Sequence, residues 1–396
     1  MRSLSNWDEW VNKELERLAA SDLKRELRPI TQAAQPICIR DGKAMLNLSS
    51  NNYLGLAGHP QLMEAMQKAL RRGAGSPASR LIIGHEEETE LLEAELAEWK
   101  GTEAALVFGS GYMANLGILS ALLSSKDAVF SDQFNHASIV DGIRLSGATQ
   151  FRYRHCDVDH LEKLLQRADE KGYQRKLIVT DAVFSMDGDM APLREIIELK
   201  ERYGAALLID EAHSSGVMGP EGKGVAHHLG LAEHVELHMG TFSKAFGVYG
   251  AYVAGKKEWI RYLIHTCRSF IYTTALPPVV ISAIRQSLQL VRQGDQLRQA
   301  LTQKSIHFRS ELSQAGFDLA GSTTQIIPIV LGESAITLAF SQKLAERGIL
   351  AVAIRPPTVP VGKARLRFSL MANHRDEDLQ EAIQAIIQIR NECGGV

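Results

Sequence analysis

The stretch Ala205–Gly216, AALLIDEAHSSG, limits the fold of this chain more than any other. Five apolar residues in succession, Ala205 to Ile209, run straight into Asp210. A strand with one wet face alternates apolar and polar residues, so an unbroken apolar run suits a strand covered on both sides, as in a parallel sheet flanked by helices. Other strand-like stretches start at Ala104, Ala128 and Lys176, and Leu193 to Tyr203 reads as a helix leading into the Asp210 strand. Strand-helix units of this spacing repeat from about residue 104 to about residue 255. They predict an α/β domain on a mostly parallel sheet with helices on both faces.

Open sheets of this kind place chemistry at the carboxyl ends of their strands, where Asp210 falls and where His213 follows three residues later. A second stretch, Val235–Gly247, VELHMGTFSKAFG, ends an apolar run at Gly240-Thr241 and sets Lys244 between Ser243 and Ala245 in a Gly-rich turn. A solvated loop residue is the ordinary reading of such a lysine. A lysine able to form a Schiff base and an acid able to hold a pyridinium nitrogen protonated are, however, the two protein groups that pyridoxal phosphate requires. Upstream, AALVFGSG from Ala104 to Gly111 passes from a strand through a Gly-Ser-Gly turn into a helix, whose first N–H groups can hold phosphate.

A chain of 396 residues with 45% hydrophobic and 23% charged residues can bury a full core and form more than one domain. Its formal net charge of −2 suggests no nucleic-acid surface. No apolar stretch reaches the roughly 20 residues needed to cross a bilayer, and the charged N-terminus lacks a signal-peptide core, so a cytoplasmic, soluble enzyme is expected. Cys38, Cys156, Cys267 and Cys393 show no metal-binding spacing, and neither disulfides nor a metal are expected. Cys156 follows His155, and a small buried or half-buried thiol is the reading favoured there over a catalytic thiolate.

Three domains are expected: residues 1–50, an N-terminal helix and hairpin; 51–290, the large domain; and 291–396, a small C-terminal domain. Trp7 to Lys24 has helical spacing and reads as a helix packing on the molecule or on a partner subunit. Pro36 to Leu48 reads as a hairpin, followed by Asn51, Asn52 and Tyr53 before a helix near Pro60. A long amphipathic helix is expected from Val279 to Arg292 and on to Leu312. Beyond it, strands at Thr324 to Val330 and Ala364 to Ser369 and helices at Ala335 to Arg347 and Glu377 to Glu392 make a small α+β unit.

DEAHSSGVMG from Asp210 and GTFSKAFG from Gly240 resemble motifs of the pyridoxal-phosphate-dependent α-oxoamine synthases, and the likeness runs from about Asp22 to about His374. The resemblance implies an aspartate-aminotransferase-like, fold type I transferase that condenses an amino acid with an acyl thioester and releases carbon dioxide. It implies pyridoxal 5′-phosphate bound covalently to Lys244 and paired through its pyridine nitrogen with Asp210. The phosphate is then expected on the Gly111 and Tyr112 backbone, the ring against His136, and the phenolic oxygen near Ser185, with Thr241 also in the cofactor set. His213 is expected to hydrogen-bond a cofactor oxygen or the thioester carbonyl. Thr273 and Thr274 are expected to reach the other subunit's phosphate, which implies a homodimer with shared sites.

On the substrate side the family match points to Asn51, His136 and Arg367 for the amino acid, and to Arg25 and Thr358 for the acyl chain. The run IRPPTVP, Ile354 to Pro360, resembles a biotin-pathway branch that joins L-alanine to a pimeloyl thioester of coenzyme A or an acyl-carrier protein. Sister branches use glycine with acetyl or succinyl thioesters and retain Lys244, Asp210 and His213. A non-catalytic binding protein on the same fold is the alternative from another class, because fold does not fix function.

Overall fold

A computed structural model describes residues 6–21 and 23–392; Asp22, where the motif likeness begins, and Cys393 lie outside the described residues. The chain divides into two compact units, one of Asn51–Thr302 with Met371–Asn373, the other of Met1–Ser50, Gln303–Leu370 and His374–Val396.

In the second of these units, β1 (Ile30–Thr31), β2 (Ile37–Arg40) and β3 (Lys43–Asn47) form an antiparallel ladder. Asp41 and Gly42 join β2 to β3 with positive φ at both positions, 53° and 74°, the two-residue turn whose twist matches a hairpin. The expected N-terminal helix is present but shorter, Asn6–Ala20, and none of its residues is buried. Glu14 and Leu18 are its half-buried residues, and its Trp7 and Trp10 meet each other edge to face at 5.9 Å.

The unit from Asn51 holds the repeated strand-helix pattern. Its strands are β4 (Ala104–Phe108), β5 (Ala128–Asp132), β6 (Thr149–Tyr153), β7 (Lys176–Asp181), β8 (Ala206–Asp210), β9 (Leu237–Thr241) and β10 (Ala251–Gly255). They form one sheet in the order β4-β10-β9-β8-β7-β5-β6. The ladders among β5 to β9 are parallel, and β10 runs antiparallel to both β4 and β9. All five residues of β5 and of β9 are buried, the polar Ser131, Asp132, His238 and Thr241 among them, as expected of strands covered on both faces. Leu106, Ile118, Val129, Ile139, Leu208 and Val253 belong to one core cluster, which ties helices Gly111–Leu122 and Ala137–Ser146 to the sheet.

The long helix expected from Val279 breaks. Pro278–Arg292 ends before Gly294, and Asp295–Gln314 begins after it. The Gly294 carbonyl accepts from Arg298 N–H and so starts the second helix, while the Arg298 guanidinium turns back to the Val291 carbonyl at 2.5 Å. Glycine gains least from helical order, which makes it the weak point of an otherwise continuous apolar stripe.

In the other unit, β11 (Ile326–Gly332), β13 (Val352–Ile354) and β14 (Ala364–Ser369) make an antiparallel sheet in the order β11-β14-β13, and β12 (Ile349–Leu350) pairs in parallel with β3. That pairing groups the segment before Asn51, expected to stand as a piece of its own, with the C-terminal residues. β11 starts two residues later than expected, because the Thr324 hydroxyl accepts from Ile326 N–H at 3.3 Å and holds a turn there. Helices Ser334–Glu346 and Asp376–Glu392 complete the unit. Among the described residues no helix is long and apolar enough to cross a membrane.

Candidate active site

The ends of β8 and β9 carry the two motifs singled out in the sequence, and backbone hydrogen bonds shape both. After Asp210, the Ser214 and Ser215 N–H groups donate to the Glu211 carbonyl, closing a turn that carries His213. After Thr241, the Thr241 hydroxyl donates to the Gly250 carbonyl at 2.9 Å, and Val248 N–H donates to Phe242 O at 2.8 Å, so Lys244 rides on a loop closed at its base. The two loops touch at Gly216, where φ is 85° and an added Cβ would lie 2.8 Å from the Ala245 Cβ. The segment after Asn51 touches the lysine loop at Gly247, where a Cβ would lie 2.3 Å from Ala57 N. Any side chain at either position would push the loops apart.

That packing brings Lys244 Nζ to 2.9 Å from His213 Nε2. His213 Nδ1 lies 2.6 Å from the Tyr53 hydroxyl, which also donates to Asn51 Oδ1 at 3.2 Å. Lys244, His213 and Asn51 are thus drawn into one hydrogen-bonded chain through a tyrosine that the sequence reading did not single out as a site residue. Tyr53 directly follows the noted asparagines, but only the fold shows which residue its hydroxyl meets.

Asp210 is 6% exposed, and the Asn115 side-chain amide donates to its Oδ2 at 2.8 Å while Ala212 N–H donates to Oδ1 at 2.9 Å. Across the sheet, in register with it on β7, stands Asp181, 4% exposed. Burial, and then the negative charge of Asp210, push the Asp181 carboxyl well above the usual carboxylate range, with the Lys244 charge opposing them. Asp181 Oδ2 accepts from the His136 N–H at 3.1 Å, while Asp181 Oδ1 and Asn115 Oδ1 are buried with no hydrogen-bond partner. An acid ending a buried strand was the signal that found Asp210, and the same signal was available at Asp181.

His136 caps helix Ala137–Ser146, its Nδ1 accepting from Ser138 N–H at 3.3 Å. Burial lowers its pKa, the Asp210 charge opposes that and the Lys244 charge adds to it, so the ring is a neutral imidazole. Gly111 and Tyr112 open helix Gly111–Leu122, capped by Ser110, whose hydroxyl accepts from Met113 N–H at 3.2 Å. Tyr112 is exposed and its hydroxyl donates to Asp141. Ser185 is half-buried in the loop after β7, and Thr274 is exposed and bridged to Ser79, with Thr273 beside it.

Arg25, Thr358 and Arg367 belong to the other unit. Arg367 is 7% exposed on β14 and donates to the Ser369 hydroxyl at 2.8 Å. Arg25 and Thr358 are exposed, and Thr358 N–H closes a turn on the Arg355 carbonyl at 3.1 Å.

Two polar clusters in the Asn51–Thr302 unit lie outside the residues expected to form the site, and of their members only His155 and Cys156 were noted in sequence. Glu211, fully buried, accepts from Lys100 Nζ at 2.6 Å, lies 3.3 Å from His238 Nδ1 and accepts from Ala226 N–H at 3.2 Å. Burial opposes its charge, but the Lys100 ammonium overrides burial and holds the carboxyl far below the usual carboxylate range. At the ends of β5 and β6, His155 lies between Asp132 at 3.0 Å and Asp189 at 2.8 Å. Burial pulls its pKa down, yet the hydrogen bonds to Asp132 and Asp189 prevail and push it up to about 12. Ligand atoms of Asp132, His155 and Cys156 lie within 4.8 Å of one another, a spacing a metal could use. Asp132, however, already accepts from the Phe134 and Cys156 N–H groups as well as facing His155. The arrangement reads as a charged imidazole clamped by carboxylates, and burial raises the pKa of the Cys156 thiol beside it. Cys38, Cys156 and Cys267 are free thiols.

The donor set in the Asn51–Thr302 unit fits pyridoxal phosphate: an amine, a buried carboxylate held by neutral donors, a neutral imidazole and a capped helix start. The aminotransferase class I and II family matches residues 43–386. A Bacillus cereus protein provisionally named 8-amino-7-oxononanoate synthase is 51% identical over 390 residues, covering 98% of each chain. A high-resolution structure of serine palmitoyltransferase with PLP as an internal aldimine is 30% identical, with a TM-score of 0.92 and both chains covered in full. An 8-amino-7-oxononanoate synthase from Francisella tularensis is also 30% identical, with a TM-score of 0.76 over 88% of this chain and 98% of that one.

Proposed function

From a chain that belongs to the aminotransferase class I and II family, and within it to the pyridoxal-phosphate-dependent α-oxoamine synthases, we propose the decarboxylative condensation of L-alanine with a pimeloyl thioester. The products are 8-amino-7-oxononanoate, carbon dioxide and the free thiol of coenzyme A or of an acyl-carrier protein. The near full-length identity of 51% to the Bacillus cereus protein supports the choice of reaction. The single observation that carries the chemistry is the 2.9 Å approach of Lys244 Nζ to His213 Nε2 on loops beside Asp210.

When bound, pyridoxal phosphate supplies the electron sink that makes the α-carbon of alanine acidic. Lys244 is the amine that holds it covalently and, once freed by the incoming amino acid, removes the α-proton and later returns one. His213 Nε2 lies within reach of that amine and can take its proton. Asp210, held by neutral donors, keeps its charge for the pyridine nitrogen and so keeps that nitrogen protonated. The neutral ring of His136 offers a flat face without competing for that charge. The backbone at Gly111 and Tyr112 receives the phosphate at a helix start, joined by Thr241 and Ser185 and by Thr273 and Thr274 of the second subunit in a homodimer. Asn51 and the fork-shaped cation of Arg367 suit the alanine carboxylate, and Arg25 and Thr358 the acyl substrate. We place the enzyme in the cytoplasm.

The test is a matrix of purified enzyme with alanine, glycine and serine, each against acetyl, succinyl, pimeloyl and palmitoyl thioesters, read by product mass. Alanine with pimeloyl thioester is expected to give the highest kcat/KM. One methyl group is worth about 1–3 kcal/mol of discrimination, so alanine should lead glycine by roughly 10-fold or more. A higher value for glycine with a short acyl group, or for serine with palmitoyl thioester, would replace the substrates and leave Lys244 in its role.

A further inference from the structure

Tyr53 is 0% exposed, and its ring stands 6.1 Å from that of His213 at a tilt of 52°. Its place is fixed from several sides: Tyr53 N–H donates to Asn51 O at 2.8 Å, and Ala372 N–H donates to Tyr53 O at 2.7 Å. Asn52 Oδ1 accepts from Ala57 N–H at 3.1 Å, so the short segment is a closed turn pressed on the Lys244 loop. Backbone constraint of this kind leaves the phenol little freedom, and its hydroxyl reaches His213 Nδ1 at 2.6 Å.

The direction of each hydrogen bond follows from proton counting. A phenol carries one proton, and the Asn51 carbonyl oxygen can only accept. With the Tyr53 O–H donated to Asn51 Oδ1, the phenol oxygen presents a lone pair to His213, whose Nδ1 then carries the hydrogen. The other ring nitrogen, Nε2, is left with its lone pair toward Lys244 Nζ. The opposite arrangement would aim an Nε2–H donor at an amine that is itself a donor when protonated.

We propose that Tyr53 is a positioning residue that holds His213 in the Nδ1–H tautomer, so that Nε2 takes a proton from Lys244. The proposal rests on the reading of Lys244 as the reactive amine. In the transfer, one N–H bond of the Lys244 ammonium breaks and one N–H bond forms at Nε2. A neutral amine and an imidazolium result, with the Nδ1–H still bonded to the Tyr53 oxygen. Tyr53 itself neither gains nor loses a proton. It acts by denying His213 the tautomer that could not accept.

The test uses the holoenzyme with histidine-selective 15N labelling, the His213 signals being assigned by their loss in His213→Gln. Wild-type protein is expected to show the Nδ1–H tautomer, and Tyr53→Phe, which keeps the ring and its packing, to populate Nε2–H. The same variant should lose about 10-fold in kcat with KM for alanine within about twofold, as expected when an acid-base group is set wrongly while substrate binding is intact. Should Tyr53→Phe not fold, 3-fluorotyrosine at this position keeps ring and hydroxyl and is expected to move the His213 15N shifts. An Nε2–H tautomer in the wild type, a tautomer unmoved in Tyr53→Phe, or His213 15N shifts unmoved by 3-fluorotyrosine overturns the proposal. Borohydride fixation of the cofactor on Lys244 is scored in the same samples, so failure of the lysine reading shows separately. The nitrogen signals need no acyl substrate and stand whichever thioester is used.

Discussion

Asp210 and Glu211 are consecutive acids at the end of β8, both buried, and they do opposite things. Asp210 takes its hydrogen bonds from an amide side chain and a backbone N–H, neutral donors that steady a carboxylate without cancelling its charge. Glu211 faces the buried Lys100 ammonium and has His238 and Ala226 N–H around it, so its charge is spent inside the protein. Successive side chains leave a strand on opposite faces, which is why neighbours in sequence reach such different surroundings. Burial of an acid therefore does not by itself mark a site; the charge of its partners does. A carboxylate held by neutral donors remains able to meet a cationic ligand, whereas one paired with lysine is part of the frame.

The largest effect expected on the site side is that of Lys244→Ala. Turnover should fall by about 10³-fold or more, and the borohydride-reducible link to pyridoxal phosphate should disappear. Peptide mapping after reduction checks this, and cofactor found on another lysine would move the site away from the Asp210 face altogether.

The contrast between the two acids is sharpened by exchanging each for its amide. Asp210→Asn should slow α-hydrogen exchange of alanine by about 10²-fold or more while leaving stability within about 1 kcal/mol, because the amide keeps the size but cannot hold a pyridine nitrogen protonated. Glu211→Gln should show the reverse. It strands a buried ammonium, for which a loss of about 3–5 kcal/mol is typical, with kcat per folded molecule little changed. Urea unfolding and exchange rates measured on both variants decide the matter, and a Glu211→Gln enzyme that is stable but inactive would break the distinction between the two acids.

Much of this was legible in the residue pattern alone. β5, β7 and β8 announce themselves because strands covered on both faces carry apolar runs with no polar alternation to blur them, and Asp210 stands at the end of one. At β9, Glu236 and His238 alternate with Leu237 and Met239, and that strand is marked instead by the Gly-rich turn that carries Lys244. What escaped depended on partners distant in sequence. Nothing near Lys100 shows that it will meet Glu211, 111 positions away, and nothing near Tyr53 shows that it will meet His213, 160 positions away. The break at Gly294 escaped for a different reason: the apolar stripe continues through it, and a single glycine weakens a helix without dictating its end. In helix Asn6–Ala20 the spacing predicted the helix but not its partner, since an amphipathic stripe says only that one face is apolar.

The smallest expected effect follows the comparison into the histidines. His227 Nε2 donates to the Lys100 carbonyl at 2.9 Å, and its pKa is pushed down to about 4 by burial first and by the Lys100 charge second. Its folded pKa lies below its unfolded value near 6.5, so between the two the unfolded chain binds more protons and stability rises with pH. The contribution is complete above about pH 6.5 and is lost as pH falls toward 4. His155 has the opposite sign: with its pKa pushed up to about 12, its contribution is complete below about pH 6.5 and is lost as pH rises through that value. Each pH unit inside a window is worth at most about 1.4 kcal/mol, and partial exposure of His227 should reduce its share to about 1–2 kcal/mol in all. Urea midpoints of the wild type should therefore decline from pH 6.5 to 4.5, and His227→Gln should flatten that decline while leaving the change above pH 7 as it was. His155→Gln should do the converse, weakening the protein at neutral pH and removing the loss of stability toward alkaline pH. Equal acid slopes for wild type and His227→Gln would place the acid sensitivity elsewhere, with buried His374, whose pKa is also pushed down to about 4, as the next group to replace.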